Sequence, residues 1–550
     1  MSHLRSAFDP PASQSLRHLV EHWAQRTPEG IAITAPGRAP LTYRRLLARI
    51  DAVAEALVAR GVGPHDRVAI ALPNGPETAV AFLGVASSAA CAPLNPAYRA
   101  SEASTHLTQL RARALIVASN DEIAARSAAE SLDIPVIALA PRTQSEAGVF
   151  ELEGPHGGGP MTRSLPGHDD VALVLQTSGT TSQPKIVPLT QANLCVSARN
   201  IGAALGLIEH DRCLGVMPLF HVHGLVGALL ASLAAGASMV CTPGFYATEF
   251  FEWLDEFHPT WYTAVPSMHQ AVVARGPHHR EVIARAPLRF VRSCSSALPG
   301  RVAAALESTF GVPVVDAYGM TEAAHQIAST PLGKRKPGSV GVAAGTEISI
   351  VDATGDALPA NSEGEIAIRG ANVMRGYEGG GREAFVGPWL RTGDVGRLDD
   401  DGYLFITGRL KEIIQSRGDQ DLPGRGRGGA TRASGRQGRR RIRGSARRAR
   451  RGARGCGSAS SGQHCERTGA SRLRGTTPCR LQGSAPCDDR RGDSANAHRQ
   501  TAARCSRADT CDARPRGADR CCAHAARDAT RRSRRRHLAP SPQSGSDRSR

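Results

Sequence analysis

The sequence predicts an α/β protein: two subdomains of helices layered on largely parallel sheets, then a small β-barrel. Three observations predict this class. Apolar residues recur at helical spacing in the first 60 residues. Short apolar strands then alternate with helices, and beyond Pro337 the pattern changes to short strands separated by Gly and Asp. A chain of 550 residues is long enough for two or three domains with a sizeable core.

Two amphipathic helices open the chain. Their apolar faces comprise Leu16, Leu19, Val20 and Trp23 in the first helix and Leu46, Ile50, Val53 and Leu57 in the second. Gly61 is suited to end the second helix, because glycine adopts the left-handed backbone of a helix C-terminus. Apolar strands are predicted at 67–73, 114–119 and 135–140. This alternation indicates βαβ units.

The predicted organisation has four parts. Residues 1–165 form an N-terminal α/β subdomain, 166–336 a second α/β subdomain, 337–411 the barrel and a hinge, and 415–550 a tail. The apolar stretch 224–240 is rich in Gly, Ala and Ser and barely reaches a membrane-spanning length. It is therefore predicted to be a buried helix and strand, and no membrane partner is expected.

The last 136 residues differ in kind from the rest. Residues 415–550 hold 34 arginines against 11 acidic residues and eight of the 13 cysteines, but no Phe, Tyr, Trp, Met, Val or Lys. The first 414 residues are thus mildly acidic and poor in cysteine, as is typical of a cytoplasmic protein. A segment without core-forming residues buries too little apolar surface to offset chain entropy, so we expect the tail to be disordered.

Three interpretations of the tail compete: a basic nucleic-acid arm, a Cys/His metal module, and translation in a shifted reading frame. The absence of lysine disfavours the arm, and the cysteines lack the paired spacing of a zinc site. Back-translation of 415–430 with one base removed permits a text with strand and helix periodicity. A frameshift is therefore favoured, and no specific nucleic-acid partner is expected.

One loop carries the first chemical signal. In "LVLQTSGTTSQPKIVPLT" (173–190) an apolar strand gives way to hydroxyls, a glycine and Lys185. Such a turn directs backbone N–H and hydroxyl groups at phosphate oxygens, and the lysine adds positive charge. It is not a Walker A loop, because no second glycine precedes the lysine. Alone, it is also compatible with a flexible linker.

Three further motifs follow in order. "YGMTE" (318–322) offers an aromatic face, a hydroxyl and a carboxylate; "RTGD" (391–394) places a carboxylate after a tight turn; and "GRLKE" (408–412) sets two cations beside a glycine. Each alone is compatible with a helix cap, a β-turn or a charged loop. Their combination and order carry the functional signal.

With these motifs, the stretch 16–414 resembles the AMP-forming acyl-CoA synthetase superfamily. Within it, "QTSGTTSQPKIVPLTQANL", "PLFHVHGLVGALLASLAAGA", "FVRSCSSALP" and "AYGMTEAAHQIASTPLGKRKPGSVG" are similar to the oxalate–CoA ligase group. The resemblance implies a two-step reaction with ATP, Mg²⁺ and coenzyme A. A carboxylate first attacks the α-phosphate of ATP, and the thiol of coenzyme A then attacks the acyl-adenylate.

The resemblance also implies roles for individual residues. The β- and γ-phosphates are expected at Thr177, Ser178, Gly179, Thr180, Thr181 and Lys185. Glu322 would hold Mg²⁺ and Thr321 would touch the α-phosphate. The adenine is expected beside Asp316, Ala317 and Tyr318. The ribose is expected at Asp394 and Arg409, with Lys411 as the hinge.

The residue types expected near the acid site indicate which kind of acid the site would bind. A small dianion such as oxalate needs hydrogen-bond donors, whereas a fatty acid needs an apolar tunnel. Donors expected near the acyl site are His221, His223, Ser295, Ser296 and His325. His221 resembles a gating histidine found across the superfamily, and His223 and His325 are also compatible with supporting roles. Alternatives are a medium-chain or aryl acid, or a nucleotide-binding protein without catalysis.

Relatives carry a C-terminal α+β domain whose lysine stabilises charge during adenylation. Because residues 415–550 contain no lysine, the resemblance implies that this domain is missing. We therefore expect weak adenylation and essentially no thioester formation by this chain. The sequence does not indicate an oligomeric state.

Overall fold

The computed structural model describes residues 15–155, 164–177 and 185–410, together with the backbone of two short strands at 414–416 and 419–421. The predictions for Ser178, Gly179, Thr180, Thr181 and Lys411, and those for the tail beyond residue 421, lie outside the described residues. Within these ranges the α/β class is confirmed.

Helices alternate with strands over the first 330 residues. They are α1 Leu16–Arg26, α2 Tyr43–Val58, α3 Pro76–Ala86, α4 Ala100–Leu110, α5 Ala124–Ser131, α6 Gln191–Leu205, the π-helix His223–Leu230, α7 Ala231–Ala234, α8 Phe250–Phe257, α9 Pro266–Arg275, α10 Arg280–Arg285 and α11 Gly300–Phe310. The predicted apolar faces of α1 and α2 are buried. Ser15 caps α1 by accepting a hydrogen bond from the backbone N–H of His18.

The strands form three sheets and one separate hairpin. They are β1 Ile31–Thr34, β2 Leu41–Thr42, β3 Arg67–Ala71, β4 Ala90–Pro93, β5 Ala114–Ala118, β6 Val136–Pro141, β7 Phe150–Glu153, β8 Val171–Thr177, β9 Lys185–Thr190, β10 Arg212–Gly215, β11 Ser238–Cys241, β12 Trp261–Ala264, β13 Phe290–Ser293, β14 Val314–Met320, β15 His325–Ser329, β16 Val342–Ala343, β17 Glu347–Val351, β18 Gly364–Arg369, β19 Phe385–Val386, β20 Trp389–Leu398, β21 Leu404–Arg409, β22 Ile414–Ser416 and β23 Asp419–Asp421.

Two of the sheets have parallel centres. The first runs in the order β7-β6-β5-β3-β4-β8-β9, and the second in the order β16-β15-β14-β13-β12-β10-β11-β1-β2. Antiparallel strands lie at their edges. Helix α2 packs on α1 and α3, so the core continues between helices and sheets.

The chain passes between the two large sheets more than once. Strands β1 and β2 pair into the second sheet, where Ile33 lies opposite Met239, whereas β8 and β9 complete the first. Residue 165 therefore does not separate the two large sheets, because each sheet takes strands from both sides of it. The division into subdomains at residue 165 stays a prediction. The segment 224–240 is a buried helix and strand, as predicted. Among the described residues no helix has the length and apolarity needed to cross a bilayer.

The third sheet stands where the small barrel is predicted. Strands β17, β18, β20 and β19 are joined in that order, and β21 pairs with β20, all antiparallel. A separate hairpin, β22–β23, follows. The β20–β21 pair matters for function, because it carries Asp394 and Arg409 at directly opposite positions.

Candidate functional site

The candidate site lies at the carboxyl ends of three neighbouring parallel strands. Thr263 of β12 lies opposite Arg292 of β13, and Ser293 lies opposite Asp316 of β14. Ligands in parallel α/β sheets bind outside these carboxyl ends, where loops leave the sheet. The residues that follow each strand are therefore placed to meet a common ligand.

The turn after β14 is held in a strained conformation. Thr321–Ala323 form a single 3₁₀ turn, and Ala324 and His325 then have positive φ angles of 48° and 103°. Such angles in non-glycine residues cluster at functional sites. Gly319 permits the close return of the chain, because a Cβ there would lie 1.6 Å from the His325 carbonyl oxygen.

A buried asparagine, Asn372, stabilises this turn through hydrogen bonds to its backbone. The Asn372 side-chain amide donates to the carbonyls of Ala323 (2.9 Å) and Gln326 (3.2 Å). Ser197 of α6 donates to the Ala324 carbonyl at 2.6 Å. The motif carrying Thr321 and Glu322 is thus preorganised by partners from two other parts of the chain.

Two of the predicted phosphate contacts, Thr177 and Lys185, lie at the described ends of β8 and β9. Thr177 ends β8 and Lys185 begins β9, directly opposite one another. The Lys185 Nζ lies 4.4 Å from the ring centroid of Tyr377, and the Tyr377 hydroxyl donates to Glu322 Oε1 at 2.7 Å. Tyr377 therefore contacts both Lys185, the predicted phosphate ligand, and Glu322, the predicted metal ligand. Glu322 is only 7% exposed.

Tyr377 was missed by the sequence analysis. Burial and the neighbouring Glu322 carboxylate raise the pKa of its phenol, so the hydroxyl stays a hydrogen-bond donor at neutral pH. Its position between Gly376 and Gly379 in "RGYEGG" is a weak signal, because aromatic residues flanked by glycines are common in loops.

The predicted ribose contacts also come together. Arg409 Nε donates to Asp394 Oδ1 at 2.7 Å, and the Tyr318 hydroxyl donates to Asp394 Oδ2 at 2.5 Å. Asp394 is 8% exposed, and both of its oxygens accept charge-assisted or phenolic hydrogen bonds. This contact ties the carboxyl end of β14 to the small antiparallel sheet.

Asp316 and Ala317 lie on β14 just before Tyr318. The Asp316 carboxyl is half-buried, and loss of hydration raises its pKa to about 7 despite the cations Arg335 and Arg292 nearby. Ala317 is buried. The pair stays a predicted border for the adenine.

This raised pKa predicts a pH-dependent stability. The native carboxyl binds its proton more tightly than the unfolded one, so its contribution falls as pH rises from about 4 to about 7 and is level above. Asp316→Asn is therefore expected to be more stable than the parent at pH 8 by about 1–3 kcal/mol, and by little near pH 4. Urea unfolding at both pH values measures the difference.

Asp255 provides the matched control. The hydrogen bond from Arg285 holds the pKa of this exposed carboxyl below its usual value, so Asp255→Asn should be neutral or destabilising at pH 8. Equal gains in the two asparagine variants, or none in Asp316→Asn, would contradict the assignment.

The predicted acid site forms a polar cluster around two stacked imidazoles. The rings of His223 and His325 lie 5.0 Å apart at 22°. His223 Nδ1 is 3.0 Å from Ser295 Oγ, and His223 Nε2 is 2.7 Å from Thr263 Oγ1. Arg292 Nη2 donates to His325 Nε2 at 3.1 Å. Both histidines and the arginine are buried, whereas Ser295 is exposed.

Two other predicted donors lie apart from this cluster. Ser296 is exposed, and its side chain has no hydrogen bond to the cluster within the described ranges. His221 is exposed beside Phe220, with ring centroids 4.5 Å apart. Arg292 and Thr263, which the sequence analysis missed, lie within the cluster. A single arginine inside the buried strand "FVRS" (290–293) is the signal for the first.

Two concavities among the described residues lie away from this site. One of about 380 Å³ is on the small sheet beside Asp352 and Arg391, and one of about 480 Å³ is beside α10 and α11. Neither is lined by a predicted site residue. The candidate site is therefore defined by side-chain geometry at the strand ends.

The side chains fit a magnesium-dependent phosphate site around Glu322 and a polar acid site around His223 and His325. In the described part of the chain, no three metal-ligating side chains converge. A single carboxylate is nevertheless what Mg²⁺ takes when phosphates and water complete its shell. Glu322 meets this need, because only its Oε1 accepts a hydrogen bond from the described residues.

Comparisons with known proteins agree with this geometry. The family described as AMP-binding enzyme matches residues 20–378. Oxalate–CoA ligase of Arabidopsis thaliana is 40% identical over 422 residues, covering 75% of this chain and 82% of that protein. Oxalate–CoA ligase of Saccharomyces cerevisiae is 37% identical over 395 residues, 65% and 71% respectively. ATP-bound MatB from Rhodopseudomonas palustris superposes with a TM-score of 0.65 at 26% identity, covering 74% and 82%.

Proposed function

The chain belongs to the AMP-binding enzyme family and is an acid–CoA ligase of the AMP-forming type, and we propose that its acid is a small dicarboxylate, with oxalate the first candidate. The observation that carries the proposal is the buried cluster of Arg292, His223 and His325, which includes a contact to Ser295, an exposed residue. A carboxylate that is not consumed in the reaction needs such donors.

The reaction needs ATP, Mg²⁺ and coenzyme A. In the first step an acid oxygen forms a bond to the α-phosphorus of ATP, and the bond to the β-phosphate oxygen breaks, releasing pyrophosphate. In the second step the thiol sulfur bonds to the acyl carbon and AMP leaves. Neither step uses a protein nucleophile, so positioning and charge stabilisation dominate catalysis.

We assign the positioning to three groups of side chains. Lys185, braced on Tyr377, supplies positive charge to the departing phosphates. Glu322 would hold Mg²⁺, whose charge offsets that of the phosphates. Asp394, held between Tyr318 and Arg409, would accept hydrogen bonds from the ribose hydroxyls.

The cytoplasm is the proposed compartment. All five cysteines of the described residues are free and buried, and a reducing environment maintains such thiols.

Substrate preference tests the proposal. Single-turnover pyrophosphate release by the full chain should be fastest with oxalate, followed by malonate, and slowest with octanoate and coumarate. His325→Ala should lower the efficiency with oxalate at least ~10-fold, because a desolvated donor to a charged group contributes roughly 1.5–3 kcal/mol. His279→Ala, which removes a ring stacked on Phe251 outside the site, is the matched control and should act like the parent.

A clear preference for octanoate or coumarate would contradict the dicarboxylate proposal. Equal losses in the His325 and His279 variants would contradict the placement of the acid.

A further inference from the structure

Arg292 is a fully buried cation without a carboxylate partner among the described residues. Its side chain is 0% exposed on strand β13. Its hydrogen bonds go to Thr263 Oγ1 (3.3 Å), His325 Nε2 (3.1 Å) and Gln326 Oε1 (3.0 Å), and its Nε has no partner. An uncompensated buried charge is strongly destabilising, so its retention calls for a reason beyond packing.

The direction of these hydrogen bonds is determined by chemistry. A guanidinium only donates, so His325 Nε2 must be an acceptor and the proton of that neutral ring must sit on Nδ1. Nδ1 of His325 has no hydrogen-bond partner in the described part of the chain. The structure thus leaves one imidazole N–H available to a ligand.

Thr263 connects Arg292 to the second imidazole, that of His223, through hydrogen-bond contacts. Thr263 Oγ1 accepts from Arg292 Nη1, and its own proton can be donated to His223 Nε2, 2.7 Å away. His223 then carries its proton on Nδ1 and donates to Ser295 Oγ at 3.0 Å. The Ser295 hydroxyl proton is left free to donate to a ligand.

Both rings must be neutral for this arrangement. Burial, and secondarily the Arg292 charge, hold the pKa of His223 and of His325 well below the usual value. The charges of His269 and His221 lower the pKa of His223 further. Burial lowers the pKa of Arg292, and the charge of the half-buried Asp316 acts in the opposite direction. Neither ring is a cation that binds the acid directly.

We propose that Arg292 is a positioning residue that fixes both histidines as Nδ1–H tautomers, so that His325 Nδ1–H and Ser295 Oγ–H become the two donors to the spectator carboxylate of the acid. The inference rests on the proposed function for the identity of the ligand. The proposed tautomers of the two histidines do not depend on that function.

The local backbone supports this arrangement. Ser295 and His325 both have positive φ angles, 72° and 103°, which aim their side chains at the cost of strain. Gly227 of the π-helix lets that helix approach, because a Cβ there would lie 2.5 Å from His325 Nε2 and 3.3 Å from Arg292 Nη1. The side of the cluster at His325 Nε2 and Arg292 Nη1 is therefore packed against the π-helix.

Tautomers of the full chain, without substrate, give the first test. Long-range ¹H–¹⁵N spectra of histidine-labelled protein, assigned with His223→Gln and His325→Gln, should show both rings protonated at Nδ1. In Arg292→Met, His325 should shift toward the Nε2–H form that free imidazole side chains prefer. Nε2–H protonation of His325 in the parent would overturn the proposal, whatever the substrate proves to be.

Kinetics give the second test. Arg292→Met should raise the oxalate concentration for half-maximal pyrophosphate release at least ~10-fold, with that for ATP changed less than ~2-fold, and Arg292→Lys should recover part of the loss. Arg285→Met, which removes an exposed arginine, is the control. Equal effects on oxalate and ATP would show a merely structural role and overturn the proposal.

A pair of variants at Thr263 keeps the proposal testable if Arg292→Met does not fold. Thr263→Val is nearly isosteric but cannot pass the hydrogen bond to His223, whereas Thr263→Ser can. The valine variant should weaken oxalate use ~5-fold or more, and the serine variant should act like the parent. Identical behaviour of valine and serine variants would overturn the Thr263 relay.

Discussion

Glu322→Gln is expected to lower the single-turnover rate of oxalate-dependent pyrophosphate release at least ~10²-fold, the scale of losing one preorganised charge-stabilising group. Glutamine keeps the shape of the side chain and can still accept the hydrogen bond from Tyr377, so the turn should remain folded. It cannot supply the negative charge that a hard divalent cation prefers. The loss should therefore appear in the Mg²⁺ dependence as well as in the rate.

Two controls separate this charge from its surroundings. Tyr377→Phe removes the hydrogen bond to Glu322 and leaves both the carboxylate and a ring beneath Lys185, so we expect a loss of less than ~10-fold. Glu347→Gln removes a carboxylate from an exposed pair with Arg369 and should have no effect. A Glu322→Gln rate within threefold of the parent, with unchanged Mg²⁺ dependence, would refute the metal role.

The sequence predicted the local elements of this fold better than their assembly. The apolar faces of α1 and α2 are buried as their spacing predicts, because helical periodicity is a local property. The pairing of Ile33 with Met239 joins residues about 200 positions apart, and no local pattern specifies it. The π-helix at 223–230 is apolar on all sides after His223, so its periodicity could not distinguish it from an α-helix.

The same contrast holds for the candidate site. Lys185 and Glu322 lie in recognisable motifs, and the structure joins them through Tyr377, which lies in none. An arginine inside a buried strand draws attention to Arg292, but its role could not be predicted, because that role depends on which ring nitrogen of His325 it contacts. A residue whose role is to orient the hydrogen bonds of its neighbours can be recognised only from the three-dimensional structure.

Replacing residues 415–550 with the C-terminal part of the Arabidopsis oxalate–CoA ligase is expected to raise adenylation ~10²–10³-fold and to enable thioester formation. We propose that the chain as it stands is impaired, because residues 415–550 contain no lysine to stabilise charge on the reacting carboxylate and phosphate. The measurements are single-turnover pyrophosphate release and the yield of oxalyl-CoA with coenzyme A present.

We propose that a shifted reading frame produced the lysine-free segment, and this proposal leads to the same expectation at the DNA level. Resequencing across the codons for Ile413 to Arg417 should find a one-base difference that restores a lysine-containing continuation, and the protein from the corrected frame should match the chimera. The matched control is the chimera carrying Glu322→Gln, which should lose the gain, since the added lysine acts on the same phosphates. Oxalyl-CoA formation by the present chain at the rate of the chimera would show that residues 1–414 need no such lysine.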